Sequence, residues 1–459
     1  MSQDAACTGY LVSHFANKTV PFRFRGIDFT FDLSQGLFSS AGVDVGTQLL
    51  LRVLSGLLDE YTQAGKPLPR QVLDAGCGAG LIGICAASAL SALGVPSEGP
   101  NALSLRCQDR DDLARLFTLH NAGKNRLPPA VLEAHTEPLL AGPKDGRWDL
   151  ILSNVPAKAG TPVLEDFARR SLGLLKPGGK VGMVVVHRLA GFFRSQIALA
   201  GAELLSEHNG SGHSVFVYAA GEQQDSVSPV EAGSGFLSRH PFYARALAQC
   251  KIEDIPIRIE TVHGASGFDD PGDAVTVAAK LATRIGLGKS ALGDNAPMLV
   301  HEPGQGFFPC WLLEFMHGSL GLKETPPMVL SGRNILALEA ARHNVLRQYA
   351  LRNNTAGLSV VPATDLHLGK AALLNAGHEK RYASLVAFPE LLPQSSLPKG
   401  TDQLAALWNA LPPLLAAGAV FLVAFGSSDA ERFDRKKPTG FTRLGGIKRS
   451  GFRALAYRS

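Results

Sequence analysis

The chain has 459 residues, 45% hydrophobic and 19% charged, with a formal net charge of +5. That length exceeds one ordinary core and implies two or three folded units, and the composition excludes a disordered chain. The small positive surplus permits contact with a polyanion without demanding it.

In chain order, Val20–Phe24 alternates as a strand, and the spacing then predicts strands at Gln71–Ala75, Ser104–Gln108, Trp148–Ser153 and Lys180–Val186. Amphipathic helices are expected between them at Leu81–Leu90, Asp112–Ala122 and Thr161–Leu175. Ala202–Leu205 and Ser214–Tyr218 flank a Gly-Ser-Gly turn and read as an antiparallel hairpin added at the sheet edge. Strand and helix in alternation imply an α/β, doubly wound, mainly parallel sheet. The polar Gly/Ser-rich stretch 221–235 has no periodicity and reads as a linker.

Beyond the linker the pattern repeats. Val20–Phe24 matches Ile255–Ile259, and Val72–Gly80 matches Met298–Gly306. Leu119-His120-Asn121 matches Arg342-His343-Asn344, and Ser211–Tyr218 matches Ser450–Tyr457. Four matches in the same order at similar spacing point to an internal duplication.

Glycines at 76, 78 and 80 follow an apolar strand that ends in Asp74, and a helix begins at Leu81. Glycine lets the backbone approach a ligand closely, and a helix N-terminus offers free N–H groups. The register Asp-x-Gly-x-Gly-x-Gly is that of a methyltransferase; a dinucleotide oxidoreductase would place its first glycine where Asp74 stands. S-adenosylmethionine is therefore the expected cofactor, held by Asp74, Gly76, Gly78 and Gly80. Asp109, at the end of the next strand, is expected to accept from the ribose hydroxyls, with Asp111 and Asp112 as helix caps. Thr136 or Glu137 is the candidate neighbour of the adenine. Asp44 and Gln48 are candidates to cover the methionine end or to start a helix.

Three runs carry a family resemblance: Gly36–Leu51, Trp148–Ala157 with Asn154-Val155-Pro156-Ala157 at its end, and Leu174–Lys180. With the glycine loop, residues 20–220 resemble the ribosomal RNA guanine-N2 methyltransferases, a tandem-duplicated family with one degenerate half. The resemblance implies two tandem Rossmann-like methyltransferase folds, the second degenerate. Residues 1–220 would form the S-adenosylmethionine-dependent domain, 221–235 the linker, and 236–459 a degenerate partner that grips substrate RNA. It also assigns catalysis to Asn154 and Pro156. In the family's Asn-Pro-Pro-aromatic tetrapeptide, the amide oxygen and a backbone carbonyl accept the hydrogens of an exocyclic amine and aim its lone pair at the methyl group. Here Val155 replaces the first proline and Ala157 the stacking aromatic; Phe192 or Phe193 is a candidate substitute.

Aligned on its glycines, the second half sets Val300 opposite Asp74, Glu302 opposite Gly76, Gly332 opposite Asp109 and Phe388 opposite Asn154. Both acids and the amide are lost there, and Glu302 puts a charged side chain where the cofactor needs bare backbone. Residues 430–459 carry nine basic against two acidic residues, with Phe441, Phe452 and Tyr457 interleaved, a pattern open to RNA contact or to a solvated face.

The six cysteines form no CxxC pair, so no metal site is expected, and unpaired thiols suit a reducing compartment. Neither a signal peptide nor an 18-residue apolar run is visible; the expectation is a cytoplasmic protein without membrane contact, and the duplication makes a monomer the simplest assembly. Two other functions fit the same residues: an RNA-binding or assembly protein without turnover, and a protein amide methyltransferase.

Overall fold

Strand residues such as Val72, Leu73 and Ala75, and the run Leu150–Leu152, are buried on both faces, as strands inside a helix-covered parallel sheet must be. The computed structural model describes residues 3–142, 148–221, 235–288, 296–351, 357–377 and 381–459. The 221–235 linker expectation falls almost wholly outside the described residues. The chain divides into two units, Met1–Glu231 with Leu392–Lys399, and Ala232–Leu391 with Gly400–Ser459.

The first unit begins with helix α1 (Gln3–Phe15) and a hairpin of β1 (Lys18–Phe24) and β2 (Ile27–Leu33). There follow α2 (Val45–Gln63), β3 (Gln71–Ala75), α3 (Leu81–Ala92), β4 (Ser104–Asp109), α4 (Asp112–Lys124) and β5 (Leu132–Thr136). Then come β6 (Trp148–Asn154), α5 (Thr161–Leu174), β7 (Leu175–Val186), α6 (Ala190–Leu199) and the hairpin β8 (Ala202–Asn209) and β9 (His213–Ala220). The sheet order is β5-β4-β3-β6-β7-β9-β8, parallel except for β9, which is antiparallel to both its neighbours. The order reverses at β3 and β6. Loops leaving the C-terminal ends of those strands diverge there and open a crevice, where α/β proteins bind ligands.

The second unit has α7 (Phe236–Arg239), the hairpin β10 (Ala244–Ile252) and β11 (Ile255–Val262), then α8 (Gly272–Ile285) and β12 (Met298–His301). It continues with α9 (Phe307–Glu314), β13 (Met328–Gly332), α10 (Ile335–Leu351), β14 (Leu358–Pro362) and α11 (Lys370–Ala376). It ends with β15 (Tyr382–Ala387), α12 (Gln403–Ala410), β16 (Leu415–Gly426), α13 (Ser427–Arg435), β17 (Thr442–Arg449) and β18 (Phe452–Arg458). Its sheet, β14-β13-β12-β15-β16-β18-β17, repeats the first strand for strand. The duplication is structural: two tandem α/β folds of one topology.

The repeated His-Asn pair is a strut. In the first unit Asn121 Oδ1 accepts from Asp32 N, and its Nδ2 donates to the carbonyls of Asp32 and Ala79, tying β2 to the glycine loop. His120 and Lys124 pair with the Asp32 carboxylate, each at 2.7 Å. Burial alone would raise that carboxyl, but the hydrogen bonds from His120, Lys124 and Thr19 outweigh it and hold it well below the usual carboxylate range. In the second unit Asn344 bonds Glu260 N, Glu260 O and Gln305 O in the same way, and Glu260 pairs with His343 and Arg347.

The tail of the second unit departs from the stacking surface that its interleaved aromatics suggest. Phe441 and Tyr457 are buried, packed against Trp408. Four of the nine cations are ion-paired: Arg432 with Asp429, Lys436 with Asp402, Arg443 with Asp434 and Arg453 with Glu431. Residues 454–457 of β18 are buried on both faces of the sheet, so Tyr457 offers no ring face to a base. Phe193 is likewise core, packed edge-on against Phe192.

Candidate active site

At the C-terminal end of β3 the chain turns through Gly76, Gly78 and Gly80, whose φ angles are 77°, 54° and 82°. Side chains other than glycine rarely adopt this left-handed region. Gly80 also needs its bareness for packing, because a Cβ there would sit 2.9 Å from the Thr118 side chain. Gly78 differs: a Cβ there would meet nothing within 4 Å. Its backbone borders open space, and α3 begins just beyond.

Two carboxylates frame this cradle. Asp74 is fully buried; its Oδ2 accepts from Gly83 N (2.8 Å), and its Oδ1 has no hydrogen-bond partner among the described residues. Burial raises its pKa to about 7; the Gly83 N–H opposes the shift and the charge of Asp109 adds to it. Asp109 Oδ2 accepts from Gly78 N (3.0 Å) and Oδ1 from Asp111 N (3.1 Å), so it props the loop at the point where the loop is open. Desolvation and the nearby Asp111 charge raise its pKa against those two bonds. An orphaned buried carboxylate oxygen and a bare backbone cradle fit a ligand that carries positive charge and hydroxyl groups.

Among the other sequence candidates, Asp111 caps α4 by accepting from Leu113 N. The Thr136 hydroxyl donates to Asp112, and Glu137 is paired with Arg106 at 2.6 Å, so both are held at the edge of the cradle. Gln48 folds back onto the carbonyl of Val43.

Asn154 ends β6, next to β3; the neighbouring Ser153 hydroxyl donates to the carbonyl of Ala75 and locks the two strand ends together. Its Nδ2 donates to Asp44 Oδ2 (3.0 Å) and Thr47 Oγ1 (3.1 Å). An ionised carboxylate only accepts, so the NH₂ must face Asp44 and the amide oxygen is left to face outward. Asp44 also caps α2 through Thr47 N (3.1 Å). This second role of Asp44 is invisible in the sequence, since 110 residues separate it from Asn154. Pro156 is exposed and its carbonyl accepts from Ala159 N in the turn that follows.

Residues 28–208 match the family model of the methyltransferase small domain. That stretch takes in most of the first unit, from β2 to β8. Over 169 residues the chain is 27% identical to the uncharacterized protein YbxB of Bacillus subtilis, covering 37% of this chain and 74% of that protein. Over 180 residues it is 28% identical to ribosomal RNA small subunit methyltransferase C of Pasteurella multocida, covering 38% of this chain but 44% of that protein. Its fold is similar over 98% of its length to the 16S rRNA N2 G1207 methyltransferase of T. thermophilus, solved with AdoMet and guanosine (TM-score 0.58, 14% identity, 99% of that chain covered). The family resemblance read from the motifs thus stands, with a tandem fold on both sides.

Strand registers settle what became of the methyltransferase cradle in the second unit. Val72 pairs with Leu105 and Leu150, and Met298 with Met328 and Ser384, which sets Val300 at the Asp74 position, Gly332 at Asp109 and Phe388 at Asn154. Glu302 stands at Gly76 and retains its left-handed backbone, with φ 55°. Glu302 Oε1 accepts from Arg333 N (2.8 Å), and a Cβ on Gly332 would lie 2.8 Å from Oε2. The Glu302 carboxylate therefore lies over the strand end where Asp109 stands in the first unit. The cradle has been filled by its own side chain.

No helix among the described residues is long and apolar enough to cross a membrane, and no cluster of metal-ligating side chains occurs among them.

Proposed function

We propose that this chain is an S-adenosylmethionine-dependent methyltransferase of ribosomal RNA, acting on the exocyclic amine of guanine. The observation that carries the reading is the amide of Asn154, whose NH₂ is held by Asp44 and Thr47 at the end of the strand beside the one that leads into the glycine loop. Bound in the cradle, S-adenosylmethionine supplies an electrophilic methyl group. Asp74 would balance its positive charge, Asp109 would accept from its ribose, and the amides around Gly78 would line its path. Asn154 Oδ1 would accept one N–H of the amine, turning the nitrogen lone pair toward the methyl. Asp44 and Thr47 hold that amide before substrate arrives, and such preorganised polar contacts are worth about 10²–10³ in rate. Pro156 stiffens the turn after Asn154. The second unit, with its cradle filled, would serve as the RNA-gripping partner through tail cations that have no ion-pair partner among the described residues, such as Arg435, Lys448, Arg449 and Arg458.

Transfer of labelled methyl groups by the full chain to unmodified ribosomal RNA, to assembled ribosomal particles and to total protein tests the reading. Label recovered as N2-methylguanine supports it. Label on a protein amide points to the amide-methyltransferase alternative, and cofactor binding without any transfer points to an RNA-binding role.

A further inference from the structure

Beside Asn154 stands a second polar side chain that the catalytic reading does not use. Asn154 pairs with Val184, Val184 with Val215, and Val186 with His213, so Asn154 and His213 project from the same face of the sheet. Both meet the first turn of α2. The His213 ring is seated on Gly46: a Cβ there would be 2.8 Å from Cδ2 of His213 and 2.9 Å from Oδ2 of Asp44, so those two atoms lie less than 6 Å apart. Asp44 is the residue that holds Asn154, so amide and imidazole flank one carboxylate.

Neither ring nitrogen has a partner among the described residues. Nδ1 is buried without one, whereas Nε2 belongs to the part of this half-buried ring that reaches solvent. A buried orphan N–H costs more than a buried lone pair that has lost water. A proton on Nε2 therefore leaves Nδ1 as a bare lone pair and presents a donor on the side of the ring that solvent reaches. The second unit reinforces the link. The equivalent registers place Phe388 at Asn154 and, through Gly426 paired with Phe452, Phe452 at His213. The copy with the filled cradle has exchanged both polar groups for phenylalanine.

Resting on the guanine reading above, we propose that His213 is the specificity-determining residue of the acceptor site. Its Nε2–H donates to the O6 or N7 edge of a guanine whose N2 amine is held by Asn154. Guanine presents two acceptors along that edge, while adenine presents an amino donor in place of O6, and a donor facing a donor is rejected. The arrangement reads the base from both ends without the stacking ring that Ala157 lacks.

The test uses the full chain saturated with S-adenosylhomocysteine and titrated with guanosine, adenosine, 7-deazaguanosine and 2-aminopurine riboside, which keeps the amine but lacks O6. Wild-type protein is expected to prefer guanosine over at least one of the two guanine analogues by roughly two- to tenfold, the range of one neutral hydrogen bond. H213L should bring that ratio to unity while S-adenosylhomocysteine affinity is unchanged, and H213Q, which keeps a donor, should restore part of it. In wild-type protein the His213 imidazole resonance should move on adding guanosine while that of exposed His208 stays. An unchanged preference in H213L, or an unmoved His213 signal, overturns the proposal. Equal binding of guanosine and adenosine by wild-type protein overturns the guanine reading instead, and this role with it.

Discussion

Replacing Asp74 by Asn tests the cradle most directly, because the structure predicts opposite effects with and without ligand. The carboxyl is fully buried, keeps one bond to Gly83 N, and has its pKa raised from 3.8 to about 7. That gap corresponds to about 4 kcal/mol of unfavourable free energy when Asp74 is ionised in the ligand-free fold, an upper figure that structural relaxation lowers. The folded pKa lies above the unfolded one, so the native state binds more protons between pH 4 and 7. Stability therefore falls as pH rises through that window, and the whole cost is present above 7. D74N keeps an acceptor for Gly83 without the charge. At pH 8 it should raise the melting transition that the cofactor shifts in wild type; even a third of the figure moves a unit of this size by about 2–4 °C. At pH 4 the gain should vanish. In wild-type protein cofactor affinity should fall as pH drops below 7, by up to about tenfold per pH unit, because the cationic ligand favours ionised Asp74. D74N should bind weakly at every pH. Calorimetry of the full chain at pH 5.5 and 8 reads both effects. Wild-type cofactor affinity in D74N, or a pH-independent affinity in wild type, would refute the reasoning.

Asn154→Ala should leave cofactor affinity intact and cut turnover about 10²–10³-fold; full turnover would move the acceptor site elsewhere. Asp44→Ala should slow methyl transfer as well, by freeing that amide, and D44N should restore most of the rate, since one amide oxygen can accept from both Thr47 N and Asn154 Nδ2 as Asp44 Oδ2 does; single-turnover rates check this. Asn121→Ala removes three buried hydrogen bonds and should destabilise by about 2–4 kcal/mol while weakening cofactor binding through Ala79; Asn344→Ala should destabilise equally and leave binding unchanged. Isothermal titration paired with denaturant unfolding separates the two variants.

The parallel strands and the glycine loop were legible because each is local: apolar runs of strand length, and glycines at every point where φ is positive. The cap at Asp111 was legible for the same reason. What escaped depends on partners distant in sequence. His120-Asn121 was visible as a repeat, but its role appears only once Asp32, 88 residues earlier, folds beneath it. Asp44 read as a helix-start residue, and its grip on Asn154 across 110 positions is tertiary. Strand β2 carries a strict apolar–polar alternation from Ile27 to Leu33 and was legible in principle; what the sequence hides is that Asp32, on its polar side, is buried against His120 and Lys124. The tail misled for the opposite reason: its charges are conspicuous in the sequence, whereas the burial of Phe441 and Tyr457 follows from their packing on Trp408, which the sequence does not show.

The Glu302 carboxylate occupying its own cradle has a consequence for how the chain responds to metabolic supply. A ligand that binds only the native state of one unit stabilises that unit by mass action and leaves the other untouched. Near cofactor depletion the first unit, burdened by the buried charge of Asp74, opens more readily than when it is loaded, and proteases that cleave opened segments would attack it faster. Its half-life would then track the cofactor pool, while the second unit, carrying its own permanent occupant, would persist unchanged.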